Sequence, residues 1–458
     1  MAERSGAVEQ QAVRDGAAFY SVEPEIATTE DVPPGYKRTE VGVIPEDWRL
    51  CELRKLLSAP PNYGINAAAT QYEESLPAYL RITDIDNDGR FSPDPPVSVK
   101  HKSAHDYFLN TGDLVFARTG ASVGKSYEYK SSDGRLVYAG FLIRVSPDTR
   151  RLDPTFLSNF CRTEHYWNWV RSVSLRSGQP GVNGAEYGSL LVPVPPVKEQ
   201  RAIATALSDA DTLIESLDRL IAKKRAIKQA AMQKLLTGQT RLPGFAGEWE
   251  TRRLGNHVSF LKTGTNSRAE LASNGRVAYL HYGDIHVRSS VTLNPNAVTT
   301  PHIAASKVRH LDKLAPGDLV FVDASEDLEG VGKSVEIIDV PKEGMVAGLH
   351  TIAARFDKDV LADGFKAYLQ FCPQFIGTLR RLAAGTKVLA TNWQHLASVE
   401  MELPCVAEQQ AIAAVLSDMD AEIETLERRR DKSRQTKQGM MQQLLTGRVR
   451  LVKPGKAA

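Results

Sequence analysis

The sequence has little cysteine, almost no net charge and no long apolar run. Its four cysteines are scattered and form no CxxC pair, which argues against a disulfide framework or a zinc site and fits a reducing compartment. The charged N-terminus has no signal-like apolar core, and no apolar run reaches the roughly 18 residues of a membrane span. We therefore expect a cytoplasmic protein without a membrane segment. Because the net charge is only +2, any nucleic-acid binding would have to come from local basic patches.

Motifs of catalysis are also missing. Two Gly-Lys-Ser stretches, 124–126 and 332–334, invite comparison with phosphate-binding loops, but such loops need a glycine five residues earlier, where Thr119 and Asp327 stand. The stretch 94–97 (DPPV) lacks the aromatic residue with which amino-methyltransferases stack a flipped base. No nucleophile–base grouping and no metal-ligand spacing is evident. The sequence predicts no catalytic residue, no metal site and no cofactor bound by this chain.

A long internal repeat is the strongest positive signal. Residues 199–242 return as residues 408–451 with about 25 of 44 positions identical, at a constant offset of 209 residues. Each copy follows a proline, Pro195 or Pro404, and reaches a glycine, Gly238 or Gly447, at a C-cap position. About 38 helical residues would form a rod of roughly 55–60 Å. A repeat of this length organises the whole chain.

The apolar residues of each copy follow the 4-3-4-3 spacing of a coiled-coil seam. In both copies the acidic residues come early and the basic residues late, so that antiparallel pairing of the two helices sets acids against bases. Solvated helix faces are the alternative explanation of these charges. The predicted seam consists of Ile203, Leu207, Ile214, Leu217 and Ile221 in the first copy and Ile412, Leu416, Met419, Ile423 and Leu426 in the second.

The segments before the two helices repeat each other weakly. The motif GDLVF occurs at 112–116 and again at 317–321, and VGKS occurs at 123–126 and 331–334. Between such anchors the sequences differ almost completely. A shared framework with divergent loops indicates two modules that read two different targets.

We therefore predict an α+β protein with two mixed α/β domains and two long helices that form an antiparallel coiled coil. The predicted segments are a disordered tail (1–34), a first domain (35–197), a central long helix (198–243), a second domain (244–406), a C-terminal long helix (407–451) and a tail (452–458); the resemblance described below implies that the domains are target recognition domains and the helices are spacers.

Candidate DNA-binding residues lie in polar loops, where side-chain donors can reach phosphates or base edges. For each residue taken singly, plain solvent exposure is an equally good explanation. The candidates are Arg118, Thr119, Lys125, Arg176, Ser177, Gln179, Lys262, Thr263, Lys333, Lys387 and Asn392.

The layout from Gly35 to Leu451 resembles the specificity (S) subunit of type I restriction–modification systems. The resemblance rests on the openings GVIPEDW (42–48) and LPGFAGEW (242–249), the GDLVF pair, the Pro-then-Glu-Gln starts of both long helices and their LLTG ends. In one respect the second copy departs from the first: Cys405 stands where the first copy has Pro196, which leaves the helix start less fixed.

The resemblance implies a DNA-binding subunit without catalysis, in which each domain reads one half of a split, asymmetric site on double-stranded DNA and the helices set the gap. It also implies two methyltransferase (M) subunits that use S-adenosylmethionine, docked on the helices, and restriction (R) subunits that use ATP and Mg²⁺. Two alternatives are a fused enzyme, against which the missing catalytic motifs count, and a scaffold that binds only proteins, against which the divergent loops count. Salt-dependent DNA binding would separate recognition from scaffolding.

Overall fold

The computed structural model of the chain describes residues 32–174, 180–383, 385 and 388–452. The chain divides into two compact units: unit 1 consists of Met1–Glu215 with Asp431–Ala458, and unit 2 consists of Ser216–Arg430. Both divisions fall inside long helices, so that each unit contains a part of each long helix. The predicted α+β class is confirmed.

Unit 1 contains two four-stranded sheets. One sheet is antiparallel with the order β4-β11-β8-β9, and the other has the order β10-β6-β7-β5 with a parallel β10–β6 pair. Two further pairs, β1–β2 and β3–β12, are antiparallel. The strands are β1 (Tyr36–Thr39), β2 (Gly42–Pro45), β3 (Arg49–Glu52), β4 (Leu57–Tyr63), β5 (Ala69–Gln71), β6 (Ala78–Leu80), β7 (Val97–Val99), β8 (Leu114–Ala117), β9 (Ser126–Glu128), β10 (Leu136–Tyr138), β11 (Leu142–Pro147) and β12 (Leu191–Val194). The short helices are α1 (Pro154–Phe160), α2 (Glu164–Ser174) and α3 (Gly184–Ser189).

The long helix α4 (Val197–Leu235) begins in unit 1 and continues into unit 2, where the sheet plan of unit 1 recurs. The larger sheet has the order β14-β22-β18-β20-β16, and a three-stranded sheet, β17-β15-β21, contains a parallel β15–β21 pair. The strands are β13 (Glu250–Arg253), β14 (Val258–Leu261), β15 (Val277–Leu280), β16 (Thr292–Leu293), β17 (His302–Ile303), β18 (Leu319–Val322), β19 (Ala324–Ser325), β20 (Ser334–Ile337), β21 (Met345–Ala347), β22 (Thr351–Phe356), β23 (Leu389–Ala390) and β24 (Glu400–Leu403). The helices are α5 (Tyr282–His286), α6 (Pro373–Leu382), α7 (Trp393–Ala397) and the second long helix α8 (Val406–Leu444).

The repeated GDLVF motif forms a turn and an inner strand, β8 in the β4-β11-β8-β9 sheet of unit 1 and β18 in the five-stranded sheet of unit 2. Its glycine has a positive φ, 89° at Gly112 and 92° at Gly317, which lets the chain turn before the strand. The aspartate then accepts a hydrogen bond from the backbone N–H three residues before it, at 2.8 Å for Asp113 and 2.7 Å for Asp318. The three apolar residues that follow are buried in both units. The motif is therefore explained by the fold.

The repeated VGKS motif is explained by close packing. Gly124 has a φ of 89°, and a Cβ there would lie 2.8 Å from the side chain of Val170 on α2. Gly332 has a φ of 76°, and a Cβ there would lie 2.8 Å from the side chain of Leu379 on α6. In both units the glycine thus lets a helix pack directly on the turn that precedes β9 or β20. A phosphate loop is not needed to account for the motif.

The seam residues of the two long helices are shielded from solvent, as predicted. Two of the ten, Met419 and Leu426, are only partly buried. The buried ones are Ile203, Leu207, Ile214, Leu217, Ile221, Ile412, Leu416 and Ile423.

From the ion pair Asp218–Arg430 to the ion pair Lys228–Asp420, the residue number rises by ten on α4 and falls by ten on α8. The two helices are therefore antiparallel in unit 2, and the prediction from charge polarity is confirmed. The pairs are Asp211–Lys437 at 2.7 Å in unit 1 and Asp218–Arg430 at 3.5 Å, Lys224–Glu422 at 2.7 Å, Arg225–Glu427 and Lys228–Asp420 in unit 2.

An arginine just beyond the end of one long helix binds a buried glutamate at the start of the other, an arrangement we term the arginine clasp. In unit 1, Arg450 binds Glu199 at 2.5 and 2.7 Å and also binds Asp47 at 2.8 and 3.0 Å. In unit 2, Arg241 binds both oxygens of Glu408 at 2.5 Å. Hydrogen bonding to these glutamates raises the pKa of both arginines, so that the charged pairs are favoured.

The glutamine after each clasp glutamate fixes the helix start to its unit. Gln200 accepts a hydrogen bond from the backbone N–H of Asp153 at 2.8 Å, and Gln409 accepts one from Ala362 at 2.9 Å. Each amide group also donates to the proline carbonyl five residues before it, at 2.9 Å in both units. The repeated Glu-Gln pair therefore joins helix to domain.

Candidate nucleic-acid interface

Three chain segments meet at one edge of unit 1. The strand β8 ends at Ala117, and the next residue, Arg118, donates its backbone N–H to the carbonyl of Phe141 at 3.1 Å. The carbonyl of Arg118 accepts from the N–H of Val182 at 2.9 Å, and Thr119 bridges to Gly181. The structure thus brings the predicted Arg118–Thr119 turn together with the segment that follows residues 175–179.

Unit 2 builds the same junction from different residues. The strand β18 ends at Val322, and Asp323 donates its backbone N–H to the carbonyl of His350 at 3.2 Å. The carbonyl of Asp323 accepts from the N–H of Thr391 at 2.7 Å, and β19 pairs with β23 next to this contact. By strand register, Asp323 is the equivalent of Arg118, and His350 is the equivalent of Phe141.

The edge of unit 1 displays a cation and aromatic rings. The Arg118 guanidinium lies 5.0 Å from the centre of the Tyr63 ring, a cation–π arrangement. The Tyr63 hydroxyl accepts from the backbone N–H of Gly184 at 3.1 Å, which fixes the ring. Phe141 is 61% exposed, the largest exposure among the large apolar side chains of unit 1 that the structure describes. A fixed guanidinium beside an open aromatic ring can contact both phosphates and base edges.

The edge of unit 2 displays an acid and imidazoles. The Nδ1 atom of His350 lies 3.2 Å from Oδ1 of Asp323, and the His350 ring meets the Tyr282 ring edge-on at 5.5 Å. Burial raises the pKa of Asp323, and the neighbouring His350 opposes that rise. Burial likewise lowers the pKa of the adjacent His281. His350 has a φ of 56°, a backbone conformation that is strained for a residue other than glycine and that concentrates at functional sites.

The predicted Lys262–Thr263 loop is held near the junction of unit 2. The Tyr279 hydroxyl accepts backbone N–H groups from Asn266 and from Leu349, each at 3.1 Å, and so ties the loop to the residue before His350. The Lys262 side chain is exposed and Thr263 is half-buried. These two residues thus remain candidates for DNA contact.

The two predicted lysines of the VGKS motifs point elsewhere. Lys125 lines a cavity of about 780 Å³ with Arg162 and Lys437, a different lining from the Arg118 edge. Lys333 lines a cavity of about 510 Å³ and donates a hydrogen bond to the carbonyl of His286. The structure therefore does not group these lysines with the matched edges.

Asn392 has a local structural role. Its side chain accepts from the backbone N–H of His395 at 3.0 Å and caps helix α7, as Asn183 caps α3 in unit 1. It also follows Thr391, which belongs to the junction. The remaining candidates Arg176, Ser177, Gln179 and Lys387 lie outside the described residues.

Sequence reasoning missed Tyr63, Phe141, Asp323 and His350. One signal was present. The chain reads Ala-Gly-Phe at 139–141 and Ala-Gly-Leu-His at 347–350, so that the repeat breaks directly after a shared Ala-Gly pair. When two copies of a repeat diverge directly after a shared pair of residues, the divergent position is a candidate for a contact that differs between the copies.

No group of three or more His, Cys, Asp or Glu side chains within the described ranges is arranged to hold a metal ion. None of the described helices is both long enough and apolar enough to cross a membrane.

Comparison with known proteins supports the family that the repeated motifs predict. Residues 95–223 match the model of the type I restriction modification DNA specificity domain. In this segment the chain is similar to a known DNA specificity domain. The family predicted from the repeated motifs is thereby confirmed.

Relatives match nearly the full length. The chain is 24% identical over 430 residues to the putative type I restriction enzyme MjaX specificity subunit of Methanocaldococcus jannaschii, covering 91% of this chain and 97% of that protein. It is 22% identical over 406 residues to the EcoKI specificity subunit of Escherichia coli K12, covering 84% of this chain and 85% of that protein.

Solved structures share the fold. The S subunit of a type I restriction–modification system from M. genitalium superposes with a TM-score of 0.55 at 13% identity, covering 87% of this chain and 96% of that one. A chain from a structure on complex assembly and conformational transition of the type I R-M system gives a TM-score of 0.51 at 16% identity, covering 89% and 99%.

Proposed function

We propose that this chain is the DNA-recognition subunit of a type I restriction–modification complex and that units 1 and 2 each read one half of a bipartite, asymmetric site. The observation that carries the proposal is the repeated junction, which keeps its backbone bonds and changes its side chains between units. A recognition protein with two different half-sites needs that combination, because the fold must be kept while the contacted bases differ. The chain itself is the non-catalytic member of the complex.

The reacting groups belong to partners. Two M subunits with S-adenosylmethionine methylate adenine, and R subunits with ATP and Mg²⁺ translocate and cleave. The long helices set the distance between the half-sites and carry the M subunits, with recognition domains over 35–197 and 244–406. Support comes from the length of α4 and α8, 39 residues each, and from their antiparallel ion pairs.

Methylation mapping tests this function. DNA from cells that express the chain with its cognate M subunit should carry N6-methyladenine at one bipartite motif with a fixed unspecified gap. A continuous motif would contradict the two-reader arrangement. Absence of methylation, with the M subunit shown to be active and bound, would favour a scaffold that binds only proteins.

DNA binding by the assembled complex should weaken steeply with salt. Phosphate contacts release counterions, so that the logarithm of the binding constant falls linearly with the logarithm of salt concentration. Titration of a duplex that carries the mapped motif, at several salt concentrations, gives the slope. Binding that does not respond to salt would argue against a phosphate-contacting interface.

A further inference from the structure

We propose that the matched residues of the two junctions determine base specificity: Arg118 with Phe141 reads a guanine-containing position in one half-site, and Asp323 with His350 reads a cytosine in the other. The proposal rests on the proposed function above. It adds the residues and the kind of base that each unit recognises.

Equivalence of the backbone is the first step. Position 118 in unit 1 and position 323 in unit 2 both donate to the first residue before the returning strand and both accept from a third segment. Their main-chain N–H and C=O groups are therefore engaged by the fold, and only the side chains are left to differ. The side chains differ at both positions. Unit 1 has a cation where unit 2 has an anion, and a phenyl ring where unit 2 has an imidazole.

Arg118 has the chemistry to read guanine. Its guanidinium lies on the Tyr63 ring, which orients its plane. An arginine so oriented presents parallel N–H donors that match O6 and N7 of guanine in the major groove, the commonest specific contact to DNA. The exposed Phe141 beside it offers an apolar surface to a neighbouring thymine methyl group.

Asp323 has the opposite chemistry. An ionised carboxylate only accepts hydrogen bonds, and among base edges in the major groove it pairs with the N4 amino group of cytosine. His350 engages one carboxylate oxygen through Nδ1, which leaves the second oxygen for a base. A carboxylate near phosphates is repelled, so that its presence at the edge is consistent with selective reading rather than general affinity. The left-handed φ of 56° at His350 occurs at the residue that makes this contact.

One substitution in each unit tests the assignment: Asp323→Asn is isosteric, and Arg118→Gln replaces the guanidinium with a shorter amide. Asn and Gln pair with N6 and N7 of adenine. Asp323→Asn should therefore shift one position of one half-site from cytosine towards adenine, and Arg118→Gln should shift one position of the other half-site from guanine towards adenine. The loss of preference for the original base should be roughly 5- to 150-fold, the range for one good base contact.

The controls lie at the far ends of the same strands. Arg150 follows β11 and is 87% exposed, and Asp359 follows β22 and is exposed. Arg150→Gln and Asp359→Asn make the same chemical changes away from the junctions and should leave the motif unchanged. Each variant is assembled with the cognate M subunit, and its motif is mapped by methylation and by selection from random duplex DNA.

The outcomes separate this inference from the proposed function. If the wild-type complex gives no bipartite motif, the proposed function fails whatever the variants do. If the wild-type motif is bipartite but one half contains no G·C pair, or if both junction variants keep the wild-type motif, the specificity assignment is wrong. A junction variant that changes only its own half, with the other half intact, supports it.

If a junction variant gives no methylation, a second substitution at the same edge tests the assignment instead. His350→Asn removes the imidazole while suiting a left-handed backbone, and Phe141→His places the unit 2 residue in unit 1. Altered preference confined to one half-site supports the assignment, and an unchanged motif overturns it.

Discussion

The Arg450 guanidinium holds two carboxylates that lie far away in the sequence, Asp47 and Glu199. The Glu199 side chain is 2% exposed, so that its charge depends on this partner and on a hydrogen bond from the Trp48 indole at 3.3 Å. Arg450→Ala leaves that carboxylate buried without its cation, a change that costs about 3–5 kcal/mol in comparable pairs. We expect unit 1 of this variant to unfold at a clearly lower denaturant concentration than unit 1 of the wild type. Hydrogen exchange of the unit 1 amides measures this unfolding.

The neighbouring Arg448 supplies the control. It is exposed and belongs to the same segment. Arg448→Ala should change the free energy of unfolding by less than about 0.5 kcal/mol, as usual for surface positions. Equal losses of unfolding free energy in the two variants would contradict a specific stabilisation of unit 1 by the arginine clasp.

The residues of the candidate interface could be predicted only in part. Arg118 and Thr119 followed from a polar turn after an apolar strand, which is a local pattern. Phe141 and His350 could not be found that way, because their role depends on pairing with a strand end more than 20 residues away. The clasp was missed although Glu199 recurs as Glu408 and Arg241 recurs as Arg450, both at the offset of 209 residues.

At the scale of elements, the seam of α4 distinguishes two leucines on one helix. Leu217 is 4% exposed and Leu220 is 38% exposed. Leu217→Ala should lower the free energy of unfolding of unit 2 by about 2–5 kcal/mol through lost burial and a residual cavity. Leu220→Ala should lower it by less than about 1 kcal/mol. Chemical denaturation of both variants measures the difference, and similar losses would contradict the assigned seam.

The antiparallel pairing can be tested by exchanging the charges of Lys224 and Glu422. Their side chains lie 2.7 Å apart and are both partly exposed. Lys224→Glu should place two like charges together and lower the stability of unit 2 by up to about 1 kcal/mol at low salt. The double exchange Lys224→Glu with Glu422→Lys should restore most of the loss, and high salt should reduce both effects. If the double variant is no more stable than the single variant, residues 224 and 422 do not interact, which would contradict this pairing.

Helices were the elements that the sequence predicted best. Prolines before and glycines after each long helix, together with a repeat at a constant offset, determine their limits from local chemistry. Short strands were harder. The pairs β6–β10 and β15–β21 are parallel and join segments far apart, so that no local pattern announces them.

At the scale of the whole molecule, unit 1 depends on the end of the chain. Leu444 and Leu445 lie in the same buried cluster as Trp48 and Ile203. Truncation after Arg430 removes these residues together with Arg450 and should expose the core of unit 1, while unit 2 keeps all of its residues. Limited proteolysis should then cleave unit 1 first. Truncation after Val452 is the control and should leave the cleavage pattern unchanged; equal resistance of both truncated chains would contradict the dependence.

The arginine clasp of unit 1 has a consequence for synthesis on the ribosome. Unit 2 is one continuous stretch, 216–430, whereas unit 1 is made of the first and the last parts of the chain. Translation of unit 1 begins first, but its clasp cannot form until Arg450 has been synthesised. All residues of unit 2 are available before that point. During synthesis, unit 2 would therefore fold while unit 1 is still incomplete, and translation of residues 431–458 would decide when unit 1 can fold.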